Sequence, residues 1–326
     1  MGKRTTPPRS FNTIRQSQCD QRAKRATKKR SVFLAICAIA ILIVLSSLVL
    51  LICSIVDMIA ANAPGSHNPA NVVYQAYTQS EEDLERGELI LINADHAYSF
   101  PKNATSALLD MREELESVTE EPPYGFRSET AKYLFNARAL AAFNSMMRKY
   151  YEVTDDDTLI IQTAYRSKEQ QPTGSSIKPG HSDHHSGYCI AFTDTFAANE
   201  STTWIKENCY KYGFVVRYPE KKGDITGIEY NYEECFRYVG IAHATYMTEN
   251  ELCLEEYIKL LSESHPFDGD HLRVTGADGN EYSIYYVPLS NSPVTTLNVP
   301  QNFAYTVSGD NNGGFIVTVN LSDPIE

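Results

Sequence analysis

Residues 212–240 read YGFVVRYPEKKGDITGIEYNYEECFRYVG, and predicted elements lie on both sides of this stretch. The β-branched and aromatic residues of FVVRYP predict a strand. The preceding segment, STTWIKENCYKYGF, predicts a helix. The following one, FRYVGIAHATYMTENELCLEEYIKLL, predicts two more, with His243 on a helix surface. Five aromatic residues of the stretch are expected in the core rather than on a ligand platform: Tyr212, Phe214, Tyr218, Phe236 and Tyr238.

The elements on both sides of this stretch predict an α+β domain. Residues 128–151 place apolar side chains on one face at helical spacing and predict a helix. Residues 158–165 and 187–192 are rich in β-branched and aromatic residues and predict strands. The region 88–262 is long enough to bury one core. Residues 263–326 follow a strand, Asp-Gly turn, strand pattern and predict a small β-rich C-terminal appendage.

The N-terminal part has a different composition. Segment 32–56 carries no charge, and its length suits a helix across the roughly 30 Å hydrocarbon core of a bilayer. We expect a retained transmembrane helix. The alternative is a signal peptide cleaved near AANA, residues 60–63. Residues 57–87 are polar and rich in small residues, which predicts a stalk.

Charge predicts the orientation of this anchor. The first thirty residues carry ten Lys or Arg and one Asp, whereas the whole chain has a net charge of −12. Basic flanks stay on the cytoplasmic side, so the tail 1–31 is expected inside the cell and the acidic C-terminal domain outside. This single-pass protein of the cell membrane is not expected to bind nucleic acid, because most of the chain is acidic.

The cysteines fall into two groups. Cys19, Cys37 and Cys53 lie in the tail and the predicted span and are expected to be free thiols. The other four lie in the predicted external domain, where disulfides are permitted. They allow three pairings, and the sequence does not choose among them: Cys189, Cys209, Cys235 and Cys253.

Three blocks together carry a family resemblance. TAYRSKEQQ (163–171) follows Tyr-Arg-Ser-x-x-x-Gln, and PGHSDHHSGYCIAF (179–192) follows Ser-x-His-x-x-Gly-x-Ala-x-Asp. Residues 212–240 follow YGF-x-x-RYP, then TGI, then Glu-Pro-Trp-His-x-Arg-Tyr-Val-Gly. In order and spacing the region 88–262 resembles the VanY-type D-alanyl-D-alanine carboxypeptidases, zinc peptidases of bacterial cell-wall metabolism. The resemblance implies their fold.

The chemical positions of that family are largely replaced. The resemblance implies zinc ligands of the types His, Asp and His, with a Glu as the base. His184 matches the first ligand, but Ala191 stands at the Asp position and Cys235 at the second His position. Tyr232 stands at the position of the base. Asp194 lies three residues beyond Ala191, so it reaches the same face of the strand only through a bulge.

Two readings of the altered site remain open. His184, Cys235 and Asp194 could rebuild a zinc site, because a thiolate is a good zinc ligand; without that rebuilding no cofactor is expected. Alternatively, Cys189 faces the same side of its strand as Ala191 and could form a disulfide with Cys235 in place of the metal. Buried free thiols, or pairing with the other external cysteines, are the remaining options.

The resemblance implies better preservation of the peptide-holding residues. These are Arg166, Gln171 and Ser182. An Arg can bind a terminal carboxylate through two parallel hydrogen bonds, as a D-Ala end requires. The alternative for Arg166 is an ion pair that orders its loop, and for the other two a role in loop hydrogen bonding. Arg217 and Arg237 lie inside packing blocks and are expected to be structural.

Three functions follow from these observations. The first is a membrane-anchored D-alanyl-D-alanine carboxypeptidase-like protein that is catalytically impaired and binds peptidoglycan stem peptides or a membrane or cell-wall protein. The second is an active zinc D,D-carboxypeptidase with a rearranged site. The third is a purely structural module of a membrane complex.

Overall fold

The computed structural model describes residues 71–116, 123–193, 196, 199–228 and 234–325. The strands are β1 (Tyr74–Ser80), β2 (Leu108–Asp110), β3 (Gly125–Phe126), β4 (Leu134–Asn136), β5 (Ile160–Thr163), β6 (Cys189–Phe192), β7 (Phe214–Val216), β8 (Cys235–Tyr238), β9 (Leu272–Thr275), β10 (Glu281–Pro288), β11 (Val294–Pro300), β12 (Phe303–Gly309) and β13 (Gly314–Pro324). The α-helices are α1 (Met111–Glu116), α2 (Ala137–Thr154), α3 (Thr203–Asn208), α4 (Gly223–Thr226), α5 (Ile241–Glu249) and α6 (Leu254–Ser264). Short 3₁₀ helices cover Glu81–Glu85, Asp183–Ser186, Glu200–Thr202, Cys209–Tyr212 and Glu220–Lys222.

A five-stranded sheet forms the centre of the fold, in the order β3-β5-β6-β8-β7. Strands β3 and β5 are parallel, and the other neighbours are antiparallel. Helix α2 packs on one face, where its Leu140, Phe143 and Met147 share a buried cluster with Phe192 and Phe236 of the sheet. The fold is therefore mixed α and β, as the sequence predicts.

Helix α2 starts later than its sequence pattern predicts. A helix over 128–151 is wrong for the first part of that range, because Leu134–Asn136 pairs with Leu108–Asp110 as a strand. The helix begins at Ala137, where the side chain of Asn136 accepts hydrogen bonds from the first N–H groups. The partner strand lies far away in sequence, so local spacing did not reveal it.

The C-terminal part packs directly on this domain. Strands β12-β13-β10-β9 form an antiparallel sheet within the range 263–326. Its residues Leu272, Ile284 and Ile316 share one buried cluster with Tyr257 and Leu261 of α6. The segment expected to be an appendage therefore contributes to a common core.

His243 on α5 belongs to that interface. Its side chain is 2% exposed, so the predicted surface position is wrong. Its two ring nitrogens hydrogen-bond to the hydroxyl groups of Tyr257 (2.7 Å) and Thr318 (2.8 Å). Burial lowers the pKa of His243 to about 3, so the ring is neutral. The helix was predicted, but the strand that covers it lies 75 positions away.

The predicted stalk, 57–87, is wrong for its last part. Tyr74–Ser80 pairs along its whole length with Val294–Pro300 in antiparallel register. Tyr74 packs edge-on against the rings of Phe267 and Tyr285. Most side chains of the strand are polar and exposed, which is the composition of an edge strand as well as of a linker.

The predicted tail and anchor, 1–31 and 32–56, lie outside the described residues, as do residues 57–70 of the stalk. Among the described residues, no helix has both the length and the apolar character needed to cross a bilayer. The transmembrane helix therefore stays a prediction.

Candidate metal and peptide site

A short 3₁₀ helix, Asp183–Ser186, positions the retained histidine. It ends at Gly187, which has a positive φ of 74°. The positive φ favours glycine, and a Cβ atom there would lie 2.5 Å from a methyl carbon of Leu108, which would have to shift. The carbonyl of Gly187 accepts a hydrogen bond from the N–H of Asn136 at 2.9 Å, which ties the turn to helix α2.

His184 projects from this turn and is 9% exposed. Its Nδ1 lies 3.2 Å from the backbone carbonyl oxygen of Cys189. A carbonyl can only accept, so Nδ1 carries the proton and donates it. In the neutral ring Nε2 then holds a lone pair, which is the form of histidine that binds metal ions.

Two cysteines converge on His184 from neighbouring strands. Cys189 on β6 is opposite Arg237 in the ladder, and Ala191 is opposite Cys235 on β8. Cys189, Ala191 and Cys235 meet in one cluster, so the prediction that they share a face of the sheet is confirmed. One ligand atom from each of His184, Cys189 and Cys235 lies within 4.8 Å of the other two.

The two thiols are free and in contact. Their Sγ atoms are 2.9 Å apart, longer than the roughly 2.05 Å of a disulfide bond. The side chains of Cys189 and Cys235 are 0% and 3% exposed. Burial raises the pKa of the Cys189 thiol well above its usual value, and the contact with Cys235 adds to this. The predicted disulfide pairing stays a prediction, but the structure places its two partners together.

These donors fit a zinc-type ion. One imidazole and two thiols are nitrogen and sulfur donors, which zinc accepts in sets of three or four. Ala191, at the position of the family Asp, presents only a methyl group to the cluster. Asp194 and Tyr232 lie outside the described residues, so their predicted roles stay predictions. Sequence reasoning missed Cys189 as a candidate ligand, although its shared strand face with Ala191 was the available signal.

Asp183, the neighbour of His184, serves a different purpose. Its carboxylate accepts hydrogen bonds from Arg217 Nε at 2.9 Å and from Arg237 Nη1. Arg217 also makes a two-bond contact with Glu255, at 3.0 and 2.8 Å. Arg237 donates further to the backbone carbonyl groups of Glu88 and Ile90. This ion-pair network confirms that both arginines are structural, and it occupies Asp183.

The charged groups of this network are buried together, so each one depends on its partners for its charged state. The side chains of Asp183, Arg217 and Arg237 are each 0% exposed. Burial opposes ionisation of Glu255, but the Arg217 guanidinium outweighs it and holds the pKa of that carboxyl below its usual value. The network joins the turn that carries His184 to β8, to α6 and to Arg217, the residue that follows β7.

Two further histidines, His185 of the turn and His181 just before it, hold loops and are not part of the cluster. His185 accepts a hydrogen bond at Nε2 from the N–H of Gly180 (3.0 Å) and donates from Nδ1 to the carbonyl of Arg166 (2.7 Å). Burial lowers the pKa of His185. His181 Nδ1 lies 2.8 Å from the carbonyl oxygen of Asn93.

Arg166 and Gln171 are hydrogen-bonded to each other beside this turn. Arg166 Nη1 donates to Gln171 Oε1 at 3.2 Å, and its Nε donates to Thr163 Oγ1 at 3.0 Å. The backbone N–H of Arg166 donates to the carbonyl of His184 at 3.2 Å. Ser182 is 1% exposed, next to the same turn. The structure brings these residues together, and their contact with a peptide stays a prediction.

Two cavities adjoin the site. Arg166, partly exposed, lines an open one of about 390 Å³ together with Arg127, Lys132 and Gln170. A second, of about 150 Å³, is lined by residues that include His181, Lys178, Tyr218 and Ile228. Tyr218 and Ile228 also pack against the two cysteines, so this second cavity adjoins the wall of the cluster.

Comparison with known proteins identifies the family of this fold. The family model described as VanY, D-alanyl-D-alanine carboxypeptidase, matches residues 102–241. A D-alanyl-D-alanine carboxypeptidase of Enterococcus faecium is 30% identical over 261 residues, which cover 75% of this chain and 79% of that protein. One of Enterococcus faecalis is 29% identical over 198 residues, which cover 56% and 70%.

A solved structure supports the fold independently. The crystal structure of the vancomycin-resistance D,D-dipeptidase VanXYg, in complex with a D-Ala-D-Ala phosphinate analogue, superposes with a TM-score of 0.62. The two chains are 23% identical, and the match covers 76% of this chain and 99% of VanXYg. The chain belongs to the VanY D-alanyl-D-alanine carboxypeptidase family.

Proposed function

We propose that this chain is a membrane-anchored, extracellular member of the family that binds the D-Ala end of peptidoglycan stem peptides and does not hydrolyse them. One observation carries the proposal. The hydrogen-bonded pair Arg166 and Gln171 is kept beside the site, whereas the position of the metal-binding Asp holds the methyl group of Ala191. The means of holding a peptide end are retained, and those of activating water are altered.

Electrostatics supports the binding half. Arg166 and Arg127 line the same open cavity, so a peptide carboxylate would meet two guanidinium groups there. Lys132 also lines the cavity, but it is paired with two carboxylates. A guanidinium binds a carboxylate through two parallel hydrogen bonds. Gln171, which is buried, holds Arg166 and also donates from Nε2 to the backbone carbonyl of Ile177 at 3.0 Å, so it orders the adjacent loop.

A peptide-binding measurement tests this proposal. Full-length protein in detergent is titrated calorimetrically with a stem pentapeptide that ends in D-Ala-D-Ala. Arg166→Ala should weaken binding by about 10- to 100-fold, since hydrogen bonds to charged groups contribute about 1.5–3 kcal/mol. Arg148→Ala, which removes an exposed arginine of α2, is the matched control and should leave binding unchanged. Equal binding by both variants would refute the proposal.

The proposed anchoring is supported by the uncharged segment 32–56 and its basic N-terminal flank. Protease added to intact protoplasts should remove the C-terminal domain while leaving the tail 1–31 protected. Release of the intact protein from membranes by alkaline carbonate would contradict an anchor.

A second candidate function is an active zinc carboxypeptidase with new ligands. The convergence of His184, Cys189 and Cys235 favours it, because a catalytic zinc needs three protein ligands. The zinc, when bound, would supply Lewis acidity and a more acidic water. The imidazole of His184 would be held in place by the Cys189 carbonyl, and Arg166 would hold the peptide end as in the first proposal. The third possibility is a purely structural module of a membrane complex. It predicts that a partner protein co-purifies equally with wild type and with Arg166→Ala.

A further inference from the structure

We propose that His184, Cys189 and Cys235 form a binding site for a thiophilic divalent ion, with Cys189 as a ligand that the family pattern does not contain. The family pattern has Ala at the position of Cys189 and Asp at that of Ala191. Cys189 lies two residues from Ala191 on the same face of β6, so its thiol is placed beside the position where the resemblance implies a carboxylate. The inference rests on the family assignment and not on peptide binding.

The three side chains come from separate elements that the fold holds rigidly. Cys189 and Cys235 lie on adjacent central strands, and His184 lies on the turn that precedes β6. The ladder fixes the strands, and the network around Asp183 fixes the turn. Their ligand atoms, within 4.8 Å of one another, are close enough to share one ion.

The donor spacing requires only a small adjustment. Metal–sulfur bonds of about 2.3 Å in tetrahedral geometry separate two sulfur ligands by about 3.8 Å. The Sγ atoms are 2.9 Å apart, so ion binding would move them apart by roughly 0.9 Å. His184 needs no change of tautomer, because its Nδ1 already donates to the Cys189 carbonyl and leaves Nε2 as the donor atom.

The charge of the three ligands favours a doubly charged cation. Binding releases one proton from each thiol to solvent, so two thiolates and a neutral imidazole balance a doubly charged cation. The resulting complex is neutral, which suits a buried position. Among the described residues the cluster contains no carboxylate, and the nearest in sequence, Asp183, is held by two arginines. Sulfur and nitrogen donors favour zinc and cobalt over magnesium and calcium.

Cobalt(II) provides a readout that does not depend on activity. The probe is the full-length chain in detergent, with Cys19, Cys37 and Cys53 changed to Ser, reduced and kept free of oxygen. Titration should produce a near-ultraviolet sulfur-to-cobalt charge-transfer band that saturates at one ion per chain. Zinc should bleach it by displacement. Magnesium should have no effect.

Matched variants separate this site from other thiols. Cys189→Ala restores the residue of the family pattern, so it should fold normally. Its loss of cobalt affinity should exceed the roughly 10- to 100-fold typical of losing an outer-shell partner. Cys209→Ala removes another buried thiol, outside the cluster, and should leave the band unchanged.

Three results would overturn the proposal: no charge-transfer band, an equal band in Cys189→Ala, or a Cys189–Cys235 disulfide in protein mapped without reduction after isolation from membranes. The last would establish the staple in place of the ion. Peptide binding by the same preparations would show whether the proposed function fails with the metal site or survives without it.

Discussion

The turn that holds Asp183 and His184 has a buried ion-pair network on one side and a cluster of a histidine and two cysteines on the other. On one side Asp183 joins Arg217, Arg237 and Glu255 in a buried network whose partners are all within hydrogen-bond reach. On the other side His184 faces Cys235, where the resemblance implies a second His. Neighbouring residues of one turn thus serve different purposes: Asp183 supports the fold, and His184 faces a site whose other ligand positions are replaced. The fold belongs to the family, and its chemistry must be established from the site itself.

Removing the shared carboxylate should have the largest effect on stability. Asp183→Asn leaves the buried guanidinium of Arg237 without its ion-pair partner and leaves Arg217 with Glu255 alone, and we expect a loss of about 3–5 kcal/mol in the free energy of unfolding. Denaturant unfolding measures this. Asp268→Asn, at an exposed position, should cost less than about 0.5 kcal/mol. Similar losses in the two variants would show that the network does not support the turn.

A second comparison sets His243 against a partly exposed histidine. The pKa of His243 in the folded state, about 3, lies below its unfolded value of about 6.5. Its contribution to stability is therefore complete above about pH 6.5 and is lost as the pH falls toward 3. Between about pH 7 and pH 4 the loss should reach about 3 kcal/mol.

The pH dependence of unfolding checks this prediction. His243→Gln should flatten the acid side of the stability curve relative to wild type. His96→Gln is the control, because His96 is partly exposed and contacts Asn93 and Asn312 at the surface. A variant at position 243 with the wild-type slope would show that another group dominates the acid response.

The smallest effect is expected on the cluster side of the turn. Without metal, Cys189→Ala should lower the free energy of unfolding by about 1 kcal/mol. The substitution removes one contact between two thiols and leaves no buried charge without a partner. The loss in unfolding free energy should therefore be several-fold smaller for Cys189→Ala than for Asp183→Asn, and this difference measures the contrast between the two sides of the turn. Urea unfolding in the presence of a chelator measures it, and a loss near that of Asp183→Asn would remove the contrast.

The sequence predicted those features that depend on local pattern and motif order. The family fold, the strand at Phe214 and the shared face of Cys189 with Cys235 needed only spacing and the alternation of strands. The start of helix α2 and the burial of His243 depended on strands far away in the chain, which local spacing cannot show.

The candidate site divides in the same way. Ala191 and Cys235 were visible from the motif as replaced positions. The proposed role of Cys189 as a ligand required the hydrogen bond of His184 Nδ1 and the distances among three side chains. Sequence spacing gives the face of a strand but not those distances. Strand β1 was missed because its exposed polar residues resemble a linker until Val294–Pro300 is placed beside it.

The central claim is that the site binds without hydrolysing, and one measurement tests it directly. Full-length protein supplied with zinc is incubated with a stem pentapeptide ending in D-Ala-D-Ala, and the products are followed by mass spectrometry. We predict that the pentapeptide stays intact. Release of free D-alanine that disappears in His184→Ala would contradict the claim and would establish a working carboxypeptidase with a rebuilt metal site.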